Sequence, residues 1–348
     1  MREKVLVALS GGVDSTAAAL LLRRAGYEVE GVTLLLKEND DGAAARASAE
    51  FLGIPLRVVD AAREFQRRVI EPAALVCAAG RTPNPCCDCN EVLKFALLAE
   101  TMGQCGADFI ATGHYARLVR ADDSADAPLI RRGADRSKDQ SYFLYRLPAA
   151  VRRRLLFPLG EYAKPAVRAL LKEAGWTGWE RPDSQDTCFA VAGECCGDTL
   201  FRRAGFAPRP GRFLYRGREV GRHAGIHRCT VGQRQGLGVA LGVPAYISRI
   251  DAESGDIELV TDPRELESSH FSLLRAVWST GSPPAEGREF AVQLRYRGRP
   301  ASARLIAAGD GWQVTTALPQ RAITPGQAAV FYDGDTVLGG GEIGEVRR

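Results

Sequence analysis

The sequence predicts an α/β protein in which an N-terminal doubly wound parallel sheet is followed by two small β-rich or β-barrel domains. Residues 5–9 form an apolar run typical of a buried strand, and residues 15–25, rich in alanine and leucine, form a helical pattern soon after it. A Ser-Gly-Gly turn separates the two. After Trp179, short strand-like runs separated by glycine and proline replace the alternation of strands and helices.

The first third of the chain continues this alternation. Strands are predicted at residues 28–36, 56–59 and 108–111, and helices at residues 43–52, 64–77 and 90–102. A sheet of this kind carries helices on both faces and binds ligands at the carboxyl ends of its strands. Ser10 follows the first strand and Gly113 follows the strand at 108–111, so both lie where a ligand is expected.

The second half of the chain is predicted to form small β-barrels. Helical patterns at residues 148–155 and 164–174 come first. Strand-like runs then occupy residues 212–215, 246–251, 257–260, 290–296, 301–306, 311–316, 328–332 and 336–342. Runs of this length and spacing are typical of barrel modules. We therefore expect an N-terminal domain over residues 1–200, a central β-rich domain over 201–270 and a C-terminal β-barrel domain over 271–348.

The composition is that of a water-soluble globular protein. The 348 residues carry a net charge of +4, with 45% hydrophobic and 25% charged residues, which suits two or three domains with their own cores. The sequence shows no apolar run long enough for a signal peptide or a membrane span, so a cytoplasmic protein without a membrane partner is expected. In that compartment the nine cysteines favour thiols, ligands or catalytic groups over structural disulfides.

Positive charge is concentrated in one segment, residues 201–235. The segment contains a single acid, Glu219, and nine arginines: Arg202, Arg203, Arg209, Arg212, Arg216, Arg218, Arg222, Arg228 and Arg234. Such a block predicts a polyanionic partner, such as a nucleic acid, on one face. From charge alone, a solvated arginine-rich surface remains the alternative.

The turn after the first strand reads Ser-Gly-Gly-Val-Asp-Ser over residues 10–15. Glycines let the backbone approach a ligand closely, and the helix that follows directs its free N–H groups and positive dipole end at that ligand, which predicts a phosphate cradle. The turn matches neither the Walker A loop nor the Gly-x-Gly-x-x-Gly motif. It resembles the pyrophosphatase loop (PP-loop) of ATP-dependent enzymes that release pyrophosphate and leave AMP on an oxygen of the substrate.

Two stretches of the sequence place cysteines in polar settings. Cys86 and Cys89 form a Cys-x-x-Cys pair, and Asn90 is expected to cap the following helix, which would put Cys89 at a helix N-terminus and lower its pKa. Redox, cluster and persulfide roles all fit such a pair, whereas structural zinc requires a second pair at matching spacing. Cys188 lies far away in sequence, in the polar stretch 183–189.

Taken together, these motifs resemble the bacterial tRNA-specific 2-thiouridylase family (MnmA or TrmU) nearly from end to end. The matching stretches are residues 10–15, 31–34, 82–86, 89–90, 94–95, 112–117, 138–144, 184–186, 188–189, 227–236, 295–296 and 325–328.

The resemblance implies an enzyme that adenylates the C2 oxygen of wobble uridine 34 with ATP and Mg²⁺ and then exchanges that oxygen for sulfur. In the family scheme Cys188 carries a persulfide and Cys89 is the nucleophile or resolving thiol, so that a Cys89–Cys188 disulfide closes and is later reduced. Asp14 is implied as a further catalytic residue.

The resemblance also assigns binding residues. The implied ATP-binding residues are Ala8, Leu9, Ser10, Gly11, Gly12, Val13, Asp14, Ser15, Leu34 and Gly113. The implied contacts with the target base are Asn84, Pro85 and Cys86, and those with the rest of the tRNA are His114, Lys138, Asp139, Gln140, Arg295, Tyr296 and Gln327. The expected partners are tRNAs for Lys, Glu and Gln and a sulfur donor such as a cysteine desulfurase or sulfur-relay protein, and the chain is expected to act as a monomer.

One departure from the family leaves an alternative open. The best-known members have aspartate where this chain has Cys86, so Cys86, Cys89 and Cys188 are also candidate ligands of a [4Fe–4S] cluster that would deliver free sulfide. We favour the persulfide scheme because it needs only the two cysteines that match the family. More distant alternatives are another PP-loop adenylating enzyme and a non-catalytic RNA-binding protein.

Overall fold

The computed structural model describes residues 2–120, 127–182, 187–191, 193–309 and 311–347. The motif residues Ser184, Gln185 and Asp186 lie outside these ranges. Within them, no helix is both long enough and apolar enough to cross a membrane.

The helices and strands alternate in the first third and give way to strands later. The helices are α1 (Val13–Arg24), α2 (Ala43–Leu52), α3 (Ala62–Phe65), α4 (Glu71–Ala78), α5 (Pro85–Cys89), α6 (Phe95–Cys105), α7 (Ala149–Arg153), α8 (Lys164–Glu173) and α9 (Cys196–Ala204). The strands are β1 (Lys4–Ala8), β2 (Glu28–Leu35), β3 (Leu56–Asp60), β4 (Phe109–Ala111), β5 (Ala116–Val119), β6 (Leu129–Arg132), β7 (Leu155–Leu156), β8 (Gly211–Tyr215), β9 (Arg218–His223), β10 (Tyr246–Ile250), β11 (Ile257–Val260), β12 (Glu267–Trp278), β13 (Glu289–Gln293), β14 (Ala301–Ala308), β15 (Gly311–Arg321), β16 (Ala328–Asp333) and β17 (Thr336–Arg347).

A five-stranded parallel sheet forms the N-terminal part, in the order β3-β2-β1-β4-β7. Strand β1 is buried on both faces: Val5 and Val7 pack in the cluster that contains α1 and α8, and Leu6 packs in the opposite cluster with α6. This explains why its sequence is a continuous apolar run rather than an alternating one. The predicted doubly wound sheet is confirmed.

Most of the C-terminal strands close into a barrel. Strands β12, β15, β14, β13, β16 and β17 follow one another, and β12 also pairs with β17, which closes the ring. The hairpin β5–β6 belongs to the N-terminal part of the sequence but extends this sheet through the Thr336–Arg131 pair. A smaller four-stranded sheet, β10-β11-β8-β9, lies between the two parts in sequence.

The structure corrects the sequence prediction at several elements. The expected helix at 148–155 ends at Arg153, and Leu155 instead begins strand β7. The expected helix at 64–77 is interrupted by a π-helical segment at Gln66–Ile70. Sequence reasoning missed strands β5, β6, β9 and β12 and the short helix α9, because their charged and polar residues mask the apolar periodicity.

The helix expected to begin at Asn90 begins earlier, at Pro85. Helix α5, a π-helical segment at Asn90–Lys94 and helix α6 follow one another without a break. The side chain of Asn84 caps α5 by accepting a hydrogen bond from the backbone N–H of Cys87 at 3.4 Å, and a proline suits the first helical position because it has no N–H to satisfy. Cys89 therefore lies within a helix rather than at its N-terminus.

Tyr142 links the N-terminal part to the barrel through a buried hydrogen bond. Its side chain is fully buried, and its hydroxyl donates a hydrogen bond to the carbonyl oxygen of Ala328 at 2.8 Å. A buried carbonyl that loses its donor costs free energy because no water replaces the bond.

We predict that Tyr142→Phe lowers the free energy of unfolding by about 1 kcal/mol, measured by denaturant unfolding. Tyr162→Phe is the control, since Tyr162 is 37% exposed, and should leave the midpoint unchanged. An equal effect of the two substitutions would contradict the role given to the Tyr142 hydroxyl.

Candidate active site

The turn between β1 and α1 forms a tight cradle. Gly11 has a φ of +78°, and a Cβ placed on it would lie 2.2 Å from the carbonyl carbon of Ala44, so only glycine fits this position. The hydroxyl of Ser15 accepts a hydrogen bond from the backbone N–H of Ser10 at 3.2 Å and donates one to the carbonyl of Gly12 at 3.1 Å. The serines thus hold the turn, and the N-terminus of α1 faces the space above it.

The turn after β4 packs against this cradle. A Cβ on Gly113 would lie 2.8 Å from the carbonyl carbon of Asp14 and 2.9 Å from the backbone nitrogen of Ser15. Leu34 lies near the end of the neighbouring strand β2, where it pairs with Val59. The structure therefore gathers the predicted ATP-binding residues at the carboxyl edge of the sheet, and their contact with ATP stays a prediction.

Two cationic side chains that the sequence analysis missed converge on this edge. The ammonium group of Lys164 lies 2.6 Å from Oδ1 of Asp14, which also accepts a hydrogen bond from the hydroxyl of Tyr115 at 2.7 Å. Arg181 donates to the carbonyl of Gly11 at 2.9 Å. These residues lie more than 90 positions from the turn in sequence, so no local motif predicts that they contact it. Positive charge here favours a polyphosphate.

Cys86 and Cys89 lie on α5, three residues apart and so on one face of the helix. Cys86 is half-buried and Cys89 is buried. Cys89 shares a hydrophobic cluster with Phe189, which packs on Phe65 with the ring centroids 6.2 Å apart. Phe189 therefore anchors the segment that carries the exposed Cys188 beside the helix that carries Cys89.

Burial, rather than a helix dipole, dominates the ionisation of these thiols. It raises the pKa of Cys86 to about 12 and also raises the pKa of Cys89. The expected lowering of the Cys89 pKa is wrong, because α5 starts before it and the sulfur is enclosed. Cys188 is exposed at the surface, and desolvation by the surrounding chain raises its pKa as well.

Lys94 opposes this effect at all three cysteines. Its positive charge lowers the pKa values of Cys86, Cys89 and Cys188. Its backbone N–H also lowers the pKa of Cys89 through a hydrogen bond. Lys94 is the last residue of the π-helical segment. The side chain whose charge stabilises the thiolates therefore lies where the helix is locally widened.

The described cysteines do not form a metal centre. Among the residues that the structure describes, no three His, Cys, Asp or Glu side chains form a group that could hold a metal ion. Cys86, Cys89 and Cys188 are therefore not arranged as a preformed ligand set for a cluster.

His114 connects the cradle to the continuous helical run at residues 85–105, which we call the thiol helix because it carries Cys86 and Cys89. It directly follows Gly113, stacks on Phe95 with ring centroids 6.0 Å apart, and shares a hydrogen bond of 2.7 Å with the hydroxyl of Thr112. Burial lowers its pKa well below the ordinary value, so the imidazole is neutral at pH 7. His114, one of the residues expected to touch tRNA, therefore lies beside the thiol helix.

Several other residues expected to touch tRNA are engaged within the protein. Asp139 is buried and pairs with Arg132 at 2.9 Å. The side-chain oxygen of Gln140 accepts a hydrogen bond from the backbone of Tyr115 at 3.0 Å, and Lys138 is half-buried.

The remaining expected contacts lie on the barrel. Arg295 donates to the carbonyl of Arg321 at 2.8 Å. Tyr296 packs on Phe143 with ring centroids 4.4 Å apart. Gln327 donates to backbone carbonyls near α5.

The arginine block is partly neutralised. Within the described residues, four of its nine arginines pair with carboxylates: Arg202 with Glu194, Arg212 with Asp256, Arg222 with Glu219 and Arg228 with Asp198. Three of these acids lie outside the block in sequence, so the sequence overstates the positive charge of this surface.

Three known protein-family models together match nearly the whole length of this chain. Residues 3–192 match the tRNA methyl transferase HUP domain, residues 199–261 the tRNA methyl transferase PRC-barrel domain, and residues 268–343 the aminomethyltransferase β-barrel domain.

Curated relatives named tRNA-specific 2-thiouridylase MnmA align over similar lengths. The relative from Chloroflexus aggregans is 43% identical over 97% of this chain and 98% of its own. The one from Carboxydothermus hydrogenoformans is 42% identical over 98% of both chains. The one from Synechococcus sp. is 41% identical over 99% of this chain and 98% of its own.

We predict that Gly11→Ala destabilises the protein by about 2 kcal/mol or more, because it combines a strained φ with a backbone clash. Gly12→Ala is the matched comparison, since a Cβ there meets its nearest neighbour, the Ser15-bonded hydroxyl of Ser10, only at 3.6 Å. Thermal unfolding of both variants checks the difference, and equal melting temperatures would contradict it.

We predict that Lys94→Gln shifts the pH profile of Cys89 alkylation upward. Removing the positive charge raises the thiol pKa further, so the alkylation rate at a fixed pH near 8 falls. Lys94→Arg, which keeps the charge, should retain the original profile. Mass spectrometry of iodoacetamide-treated protein measures the rate, and an unchanged profile in Lys94→Gln would show that the charge does not reach the sulfur.

Proposed function

This chain belongs to the tRNA-specific 2-thiouridylase family, and from that premise we propose that it replaces the C2 oxygen of the wobble uridine of tRNA with sulfur, using ATP. The observation that carries the proposal is the pair Gly113–His114. Gly113 packs against the phosphate cradle at Asp14 and Ser15, and His114 stacks on Phe95 of the thiol helix. Two consecutive residues thus join an adenylating site to a sulfur-transfer site.

The first step activates an oxygen that is otherwise a poor leaving group. The uracil oxygen attacks the α-phosphate of ATP, pyrophosphate leaves, and the oxygen then carries AMP. The turn at residues 10–15 offers backbone N–H groups to the phosphates, and Lys164 and Arg181 supply positive charge. The partly exposed carboxylate of Asp14 is the kind of oxygen ligand that Mg²⁺ prefers, and the ion would neutralise the departing pyrophosphate.

The second step transfers sulfur. The terminal sulfur of a Cys188 persulfide attacks C2, and AMP leaves with the former oxygen. The Cys89 thiolate then attacks Sγ of Cys188, the bond to the transferred sulfur breaks, and that sulfur remains on C2. The resulting Cys89–Cys188 disulfide needs two electrons and two protons from a cellular thiol reductant before the next turnover.

The raised thiol pKa values suit this order of events. In the protein without tRNA, burial raises the pKa of Cys89 and so disfavours the thiolate that attacks a persulfide on Cys188. Lys94 lies where it stabilises the thiolate when it forms. An unpaired anticodon base is cheaper to turn into a pocket than a base in a duplex, and Asn84, Pro85 and Cys86 stand at the start of the thiol helix to meet it.

The partners and organisation follow from the same proposal. The substrates are tRNAs for Lys, Glu and Gln, bound with Lys138, Asp139, Gln140, Arg295 and Tyr296 nearby. The sulfur donor is a cysteine desulfurase or a sulfur-relay protein, and the enzyme acts in the cytoplasm as a monomer. The three functional parts are residues 1–200, 201–270 and 271–348. Because the three cysteines do not form a ligand set, we derive no step through a cluster.

We predict that Cys89→Ala and Cys188→Ala abolish sulfur incorporation into unmodified tRNA, whereas Cys86→Ala retains it. The assay supplies ATP, Mg²⁺, a desulfurase and a thiol reductant, and detects the product nucleoside by mass spectrometry. Cys105→Ala, at the end of α6, is the control and should remain active.

Other outcomes of this assay would overturn specific parts of the proposal. Activity that requires Cys86, together with bound iron and acid-labile sulfide in protein purified without oxygen, would replace the persulfide scheme with the cluster. A methylated nucleoside instead of a thiolated one would contradict the reaction itself.

A further inference from the structure

A loop of the barrel forms hydrogen bonds with the residues directly ahead of the thiol helix. The side-chain amide of Gln327 donates hydrogen bonds to the carbonyl oxygens of Thr82 at 3.3 Å and Pro83 at 3.0 Å. These two residues immediately precede Asn84, whose side chain caps the helix. The barrel therefore holds the point at which this helix begins.

These bonds use the whole donor capacity of Gln327. A glutamine amide has two N–H bonds and one acceptor oxygen, and two carbonyls already take the two N–H bonds. A tRNA phosphate offers only acceptors, so it has no donor to meet on this side chain unless the loop is released. The geometry thus directs the side-chain N–H groups of Gln327 to the protein chain ahead of the helix.

Backbone contacts tighten the same junction. The backbone N–H of Thr82 donates to the carbonyl of Pro325 at 2.9 Å. Gly326 approaches so closely that a Cβ on it would lie 2.7 Å from the carbonyl oxygen of Thr82. Arg81 forms an ion pair with Glu342 of β17 at 2.8 Å. The loop at 81–83 is therefore docked on the barrel by both side chains and backbone.

The barrel also holds the helix farther along. Arg275 of β12 reaches Asp88 at 3.5 Å and Glu91 at 3.2 Å. The buried Arg146 bridges the same two acids at 2.7 and 3.2 Å. Cys86 and Cys89 thus lie between two attachments to the barrel, one ahead of them and one beside them.

We propose that Gln327 is a positioning residue: by holding the carbonyls of Thr82 and Pro83 it fixes the start of the helix that carries Cys86 and Cys89. The inference goes beyond the thiolation reaction, since it assigns the barrel a role in ordering the thiols. It rests on the proposed function only where activity is the readout.

The test compares Gln327→Glu with Gln320→Glu. The first substitution keeps the shape of the side chain but replaces the N–H donors with an oxygen that repels the two carbonyls. The second makes the same chemical change on the same barrel, where the amide of Gln320 bonds to the nearby carbonyl of Leu318. Hydrogen exchange of residues 82–89 and alkylation of Cys86 are measured in the protein without tRNA, and tRNA affinity and turnover are measured separately.

We expect Gln327→Glu to speed exchange and alkylation about tenfold, as the loss of one or two hydrogen bonds implies, and to lower kcat. Gln320→Glu should behave as the unsubstituted protein. Weaker tRNA binding with unchanged exchange and alkylation would overturn the proposal. Should Gln327→Glu fail to fold, Gln327→Ala answers the same question. If no sulfur reaches tRNA, the proposed function fails, but the exchange and alkylation results still decide the role of Gln327.

Discussion

The close packing of two backbone turns is the constraint on which the rest of the site depends. Gly113 lies so near the first turn of α1 that any side chain on it would meet backbone atoms of Asp14 and Ser15 at less than 3 Å. Backbone atoms cannot rotate away as side chains do, so the two turns keep one relative position. Because His114 follows Gly113 and stacks on Phe95, the same contact fixes how far the phosphate cradle lies from the thiol helix.

Local sequence was enough to predict the cradle but not its surroundings. The apolar run of β1, the glycines at residues 11 and 12 and the helix that follows are neighbours in the chain, so their pattern specifies the turn directly. Lys164 and Arg181 reach the same turn from α8 and from the segment beyond it. Their arrival depends on the tertiary fold, and neither residue stands in a motif that the sequence alone makes visible.

The error at Cys89 has a similar physical origin. Asn90 and Asn84 are both good capping residues, and the prediction of Asn90 overlooked that Pro85 favours a helix start after Asn84. The structure chooses Asn84, because Pro85 suits the first helical position and Gln327 of the barrel holds the two carbonyls ahead of the cap. This choice moves Cys89 into the interior of the helix and into a hydrophobic cluster, which reverses the direction of its pKa shift. A contact that is distant in sequence, that of Gln327, thus helps to decide the position of Cys89 in the helix and the direction of its pKa shift.

The barrel and the parallel sheet are therefore coupled rather than joined by a simple linker. The hairpin β5–β6 leaves the N-terminal part to extend the sheet of the barrel, and Tyr142 bonds to Ala328 from the same side. Two barrel residues in turn contact the region of α5. Gln327 bonds to Pro83 ahead of the helix, and Arg275 pairs with Asp88 on it. Since the barrel positions the helix that carries two of the cysteines, a shift of the barrel loop at Gln327 reaches the start of that helix through two hydrogen bonds.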